Sequence, residues 1–298
     1  MSQTSTSPVV FKADMMLLLV TVLAAISWMF SKEALDGFPP LLFIGTRFLF
    51  AGLLLAIPGY SGLKKLTKHQ WKASSGVGIL FGIAMSTWIM GLFYATHLGE
   101  GSFITSLAVV LVPLISWLFF GDAMSRASWI ALPLAFAGMG LLSLQHGFRP
   151  ELSQLLFFTA ALLLSMTFIL NGRAAAHVPA LALSAIQLSI VGIVAIALSA
   201  GVEEWPDTWT ADMWWWLLLS VTVGTAARFF LQTYAQGMTT PSHAAVIMIV
   251  EPVWTATFAA LWFGETMSLS QLFGCSLIFL SLVVNRWSAV RMWLARKS

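Results

Sequence analysis

The chain reads as ten apolar runs separated by short polar breaks. The runs cover 14–35, 41–60, 73–96, 102–120, 127–145, 154–172, 179–200, 213–235, 242–263 and 269–287. Each is close to the ~20 residues a helix needs to cross the hydrocarbon core. None alternates with period two along its length, which excludes the strands of a closed barrel. The breaks carry turn and charge signals. Asp36-Gly37-Phe38-Pro39-Pro40 ends the first run, Lys64-Lys65-Leu66-Thr67-Lys68-His69 follows the second, and Glu203-Glu204-Trp205-Pro206-Asp207 follows the seventh. Residues 97–101 and 237–241 are the weakest breaks, marked by only a few weakly polar residues. The pattern predicts an all-α integral membrane protein with ten transmembrane helices.

One break occurs twice. Leu118-Phe119-Phe120-Gly121-Asp122-Ala123-Met124-Ser125 reappears as Leu261-Trp262-Phe263-Gly264-Glu265-Thr266-Met267-Ser268. With that offset Val109 corresponds to Pro252. A slightly shorter offset pairs Arg47 with Gln187 and Gly52 with Gly192. Each half then holds five spans. Five is odd, so the halves enter the membrane in opposite senses, as two inverted-topology repeats with a midplane site between them. The expected organisation is a cytoplasmic tail over 1–13, a first five-helix repeat over 14–145, a second over 152–287, and a basic cytoplasmic tail over 288–298.

Composition agrees. Hydrophobic residues make up 59% of the 298 and charged residues 9%, against roughly a quarter charged in soluble domains. Residues 1–11 are polar without a basic cluster, so no cleavable signal peptide is expected. The single cysteine, Cys275, cannot form an intramolecular disulfide.

Loop charge sets the orientation. A cytoplasmic N-terminus puts Lys12, Lys64, Lys65, Lys68, Lys72, Arg126, Arg173, Arg286, Arg291, Arg296 and Lys297 inside and only Arg149 in an outer loop. Asp36, Glu100, Glu151, Glu203, Glu204, Asp207, Asp212 and Glu265 then fall outside. The net charge of +3 reflects this topology, and no nucleic-acid partner is expected. Trp205, Trp209 and Trp214–Trp216 form an interfacial belt at the outer start of span eight.

Ionisable groups inside spans cost about 2.5–3.5 kcal/mol on insertion scales, so each needs a reason. Arg47 lies about 9 Å into span two from the outer side at ~1.5 Å per residue. It either binds a substrate carboxylate or is structural, snorkelling or pairing with a carbonyl. Lys32 and Glu33 stand near the outer end of span one, facing the outer mouth or forming an interfacial pair. Trp28, one turn deeper, points the same way as Lys32 and is either a cavity wall or packed core. Glu251 lies deep in span nine, directly before the helix-breaking Pro252. It is the candidate proton site, unless it only hydrogen-bonds a broken helix. Arg228 in span eight is its candidate partner. Tyr94, His97, Gln187 and Tyr234 complete the candidate cavity set. The glycines of Gly76-Val77-Gly78, Gly82 and Gly138-Met139-Gly140 allow close helix approach.

Several of these motifs resemble the drug/metabolite transporter superfamily, specifically chains with two EamA-type domains. Ser27-Trp28-Met29-Phe30-Ser31-Lys32 is similar to the family's first-span tryptophan followed by lysine. Pro39-Pro40 with Thr46-Arg47-Phe48 resembles its second-span arginine motif. Ser106–Pro113 with Gly121-Asp122, and Val250-Glu251-Pro252 with Gly264-Glu265, resemble its fourth- and ninth-span signatures. The likeness covers about 14–287. It departs at Val109, where the family has proline, and at Asp122, where it has glutamate. The resemblance implies export of small metabolites, often amino acids or related compounds.

The expectation is therefore a secondary transporter in a bacterial inner membrane, exporting a small amphipathic metabolite by alternating access. The substrate would sit between the repeats, touched by spans one, two, three, four, six, eight and nine. No cofactor or metal site is expected, since no phosphate loop, Cys/His cluster or nucleophile elbow occurs. Partners are the substrate, membrane lipids and, as a candidate, protons, with the chain a monomer or homodimer. An uncoupled facilitator is the alternative. An intramembrane enzyme would rest on Glu251 with Arg228 or His97 alone, and a scramblase would need a polar lipid-facing groove.

Overall fold

The computed structural model describes residues 8–143, 151–175, 177–236, 238, 247–285 and 287. Among them the regular elements are helices. They are α1 (Pro8–Ala34), α2 (Pro40–Leu63), α3 (Lys68–Tyr94), α4 (Leu98–Phe120), α5 (Arg126–Ser143), α6 (Leu152–Ala175), α7 (Ala180–Val202) and α8 (Ala211–Val221). A π-helical stretch, Thr222–Ala227, links α8 to α9 (Arg228–Gln236). Then come α10 (Glu251–Phe263) and α11 (Leu269–Asn285). Seven stretches are long and apolar enough to cross a membrane, with α8 running on through the π-helix as one of them. Helices α5 and α11 are shorter but apolar. This is a multi-pass membrane protein. Residues 1–7, Arg149, the start of the ninth apolar run at 242–246, Arg286 and the tail at 288–298 lie outside the described residues.

Helix ends differ from the hydropathy pattern where local chemistry extends them. Helix α1 begins at Pro8, within the expected tail. Helix α3 starts early because Thr67 and Gln70 close a capping box. Helix α4 starts at Leu98, so Glu100 is not an outer-loop acid. It lies in the helix's first turn and is buried. The duplicated break has one backbone form in both copies. Gly121 (φ 73°) caps α4 and Gly264 (φ 67°) caps α10, a left-handed conformation that glycine adopts without a Cβ penalty.

Helix α2 packs along α7, α5 against α11, and α3 and α4 against α6, while α1 packs on α8, α9 and α10. The α2–α7 contact is backbone to backbone. A Cβ on Gly52 would lie 2.6 Å from the Ser189 nitrogen, and one on Gly192 would lie 2.6 Å from that of Leu49. Long-range bonds sort the two ends of the bundle. At one end Glu203 accepts from the Leu41 and Leu42 amides (2.8 and 3.0 Å), and Glu265 accepts from Leu98 N–H (2.9 Å). At the other, Gln70 donates to the His177 carbonyl, Ser128 donates to Asn285, and the Arg173 guanidinium covers the Phe120 ring at 3.8 Å. Acids dominate the first end, and Lys64, Lys65, Lys68, Arg126 and Arg173 the second.

Candidate functional site

The polar interior is built around α1, α2, α9, α10 and the π-helix. Arg47 of α2 is only 3% exposed. Its Nε donates to Thr225 Oγ1 (2.6 Å), Nη1 to Ser31 Oγ (2.7 Å), and Nη2 to Ser27 Oγ (2.5 Å) and the Gly224 carbonyl (3.3 Å). Ser27 and Ser31 sit one turn apart on α1, so both hydroxyls face one way. Ser31 and Thr225 donate their own hydrogens to the Ser27 and Ser220 carbonyls, leaving oxygen lone pairs for the cation. The π-helix contributes because its widened turn frees carbonyls from the usual ladder. Gly224 has no room for a side chain, since a Cβ there would lie 2.9 Å from Ser27 Oγ. No carboxylate among the described residues pairs with Arg47.

Arg228 opens α9 directly after the π-helix whose Gly224 and Thr225 hold Arg47. Its Nη2 lies 3.4 Å from Glu251 Oε2, with the two side chains 23% and 21% exposed. Glu251 is the first residue of α10, where the positive helix end favours a carboxylate. Pro252 occupies the first turn, where its missing N–H leaves no bond unmade. The pair is not saturated. Arg228 Nε, Gln232 Oε1 and Trp254 Nε1 are buried without a partner. Gln232 lies one turn from Arg228, and Trp254 one turn from Glu251, so each extends its partner's face.

The other predicted residues fall in separate places. Trp28 is buried edge-on against Trp88, with ring centroids 4.7 Å apart, and tilts on Phe157. Lys32 donates to the Ala95 carbonyl at 3.0 Å and so caps α3. Glu33 accepts from Trp262 Nε1 at 2.7 Å. Gln187 is buried and donates to Asn171. Tyr94 is exposed beside Phe93. Tyr234 is exposed beneath Lys12. His97 is the N-cap residue of α4, with its Nδ1 buried and unpartnered.

One cluster escapes the sequence reading. Glu100, 6% exposed, accepts from Gln154 Nε2 of α6 on Oε1 and from Gln271 Nε2 of α11 (3.1 Å) on Oε2. A small cavity beside it is lined by His97, Glu151, Gln154 and Phe157. Ser268-x-x-Gln271 is a capping-box pattern, which was the one readable signal there.

The comparisons with known proteins agree with this architecture. An uncharacterized transporter of Archaeoglobus fulgidus is 28% identical over 275 residues, covering 91% of this chain and 85% of its own. The uncharacterized transporter YvbV of Bacillus subtilis is also 28% identical, covering 91% and 90%. A solved crystal structure shares the fold, with a TM-score of 0.65 at 18% identity over 93% of this chain and 98% of its own. The sequence profile of the EamA-like transporter family matches twice, over residues 11–144 and 152–287, and the chain belongs to that family.

Proposed function

We propose that this protein exports a small amphipathic metabolite, of the amino-acid type, across a bacterial inner membrane by alternating access. Ten spans form two inverted five-helix repeats, with both termini in the cytoplasm. The packing supports this: α2 meets its counterpart α7, α5 meets α11, and the α3–α6 contact has its counterpart in α8–α1. The end rich in Lys and Arg then faces the cytoplasm.

The observation that carries the reading is the half-satisfied Arg228–Glu251 pair. Polar groups at membrane depth without partners are costly and point to a ligand. The spare N–H groups of Arg228 and Trp254 suit a carboxylate, and Glu251 and Gln232 suit a donor such as an ammonium. Trp28, Trp88 and Phe157 give an apolar wall on the α3 side. Arg47 holds α1, α2 and the π-helix in place around this site. Glu251 exchanges a proton for substrate during the cycle. The test is flux of a labelled amino-acid panel in proteoliposomes under an imposed pH gradient. No flux for any member would overturn the substrate class, and flux indifferent to the gradient would make the protein a facilitator. Cysteines introduced at Lys68 and Glu204 should label from opposite sides, and labelling from one side would overturn the topology.

A further inference from the structure

Three helices begin at the acid-rich end and converge on one carboxylate. Glu100, Gln154 and Gln271 each hold the third position of their helix, α4, α6 and α11. Glu100 belongs to the first half, and both glutamines belong to the second. The amide orientations are fixed by the helices themselves. Gln271 Oε1 accepts from Ser268 N–H at 2.9 Å, and Gln154 Oε1 accepts from Glu151 N–H at 3.3 Å. With each oxygen committed to its own helix start, both NH₂ groups face Glu100, one per carboxylate oxygen. The site asks for an anion, and three positive helix ends surround it. No lysine or arginine among the described residues forms an ion pair with Glu100.

We propose that Glu100 is a proton-binding latch: ionised, it ties the two halves together at this end, and protonated, it releases them. A protonated carboxyl group carries a hydrogen that neither glutamine can accept, because both present only donors. One of the two cross-repeat bonds is then lost, and the other loses its charge assistance. The acceptors near that hydrogen lie on the wall of the adjoining cavity, the unpartnered Nδ1 of His97 and the Glu151 carboxylate, and both belong to the outer end and not to the glutamine clamp. The other ionisable groups facing the site are the Cys275 thiol on α11 and Glu265, bonded to Leu98 N–H at the start of α4. Acid on the outer face would thus favour opening there, independently of Glu251. The inference rests on the proposed motion of one repeat against the other.

The chain carries its own reporter. Cys275 is its single cysteine, buried one turn below Gln271. Labelling with a membrane-impermeant maleimide from outside reads opening at this end. In the wild type the rate should rise as external pH falls, against the slowing that acid imposes on thiolate chemistry. Glu100→Gln should label at least roughly tenfold faster at pH 8, the scale of one lost charge-assisted hydrogen bond, and respond to pH only through the thiol. Gln271→Leu should speed labelling while a weakened pH response persists. A wild-type rate that only slows with acid overturns the latch even if Glu100→Gln fails to fold. So does a pH response that survives in Glu100→Gln. An intact Cys275 response in a protein without flux would instead overturn the transport reading alone.

Discussion

Arg47 and Arg228 are neighbouring arginines inside one apolar bundle, and they are held in opposite ways. Arg47 is sealed, and its donors end on three hydroxyls and a carbonyl. Arg228 makes one long contact with Glu251 and keeps a buried Nε with no partner. A cation whose every nitrogen meets a neutral acceptor has little left to offer a ligand. One whose partner stands at 3.4 Å, with spare polar atoms around it, does. Under the proposed function the difference separates a structural arginine from a binding one, although both appear in the sequence as a charge in an apolar run.

The sharpest way to break the comparison is to remove each guanidinium. Arg47→Ala should destabilise the protein in detergent by several kcal/mol, because hydrogen bonds to a charged group contribute about 1.5–3 kcal/mol each and a cavity is left behind. Arg47→Lys should recover only part of this, since an ammonium cannot reproduce the planar fork. Arg228→Ala should shift the midpoint less than Arg47→Ala, because the loss of one long contact to Glu251 is offset by removing a buried N–H that has no partner, while flux falls at least roughly tenfold. Thermal unfolding and flux on the same preparations decide. An Arg47→Ala protein as stable as wild type would erase the distinction.

Glu251 sharpens the functional side. Glu251→Gln keeps the shape and hydrogen-bonding capacity but removes the proposed proton site. Substrate binding should largely survive, while flux should lose its response to an imposed pH gradient. Unchanged gradient dependence would return Glu251 to the role of a helix-start carboxylate facing Arg228.

How much of this was legible in sequence depends on range. Helices follow from run length and hydropathy, which are local. The start of α4 does not, because Leu98-Gly99-Glu100-Gly101 mixes small and charged residues and reads as a break. The π-helix leaves no apolar signature in Thr222–Ala227. Arg47, Arg228 and Glu251 stand out as charges at depth, but saturation depends on partners far along the chain, with Thr225 lying 178 residues from Arg47. The same holds for Glu100, whose glutamines lie 54 and 171 residues away. The duplicated hairpin gives a further case. Its glycines predict a shared turn, yet Asp122 bonds Ser116 of its own helix while the longer Glu265 reaches Leu98 on α4.

Inside the cage of Ser27, Ser31, Gly224 and Thr225 around Arg47, a single hydroxyl sets the next scale. Ser27→Ala removes one acceptor from Arg47 Nη2 and leaves a buried N–H with only the longer Gly224 contact. A loss of about 1–3 kcal/mol is expected in thermal unfolding. Flux should follow the folded fraction, with no new pH or substrate dependence. A Ser27→Ala protein with altered substrate preference would mean that the cage itself touches the ligand.

The smallest expected change in stability is the most discriminating. Trp254 Nε1 is buried without a partner, while its ring stacks on Phe258 at 6.0 Å. Trp254→Phe keeps an aromatic ring for that stack and deletes the orphaned donor. In the cage, deleting a polar group leaves another stranded and destabilises. Beside Arg228, deleting one removes a desolvation penalty of about 1–3 kcal/mol that no protein partner offsets, set against some lost packing. The net effect on the unfolding midpoint should therefore be near zero or a slight gain, with flux reduced because the substrate loses a donor. If Trp254→Phe instead destabilises as much as Ser27→Ala and leaves flux intact, the unpartnered atoms around Arg228 are packing defects, and the contrast between the two arginines carries no function.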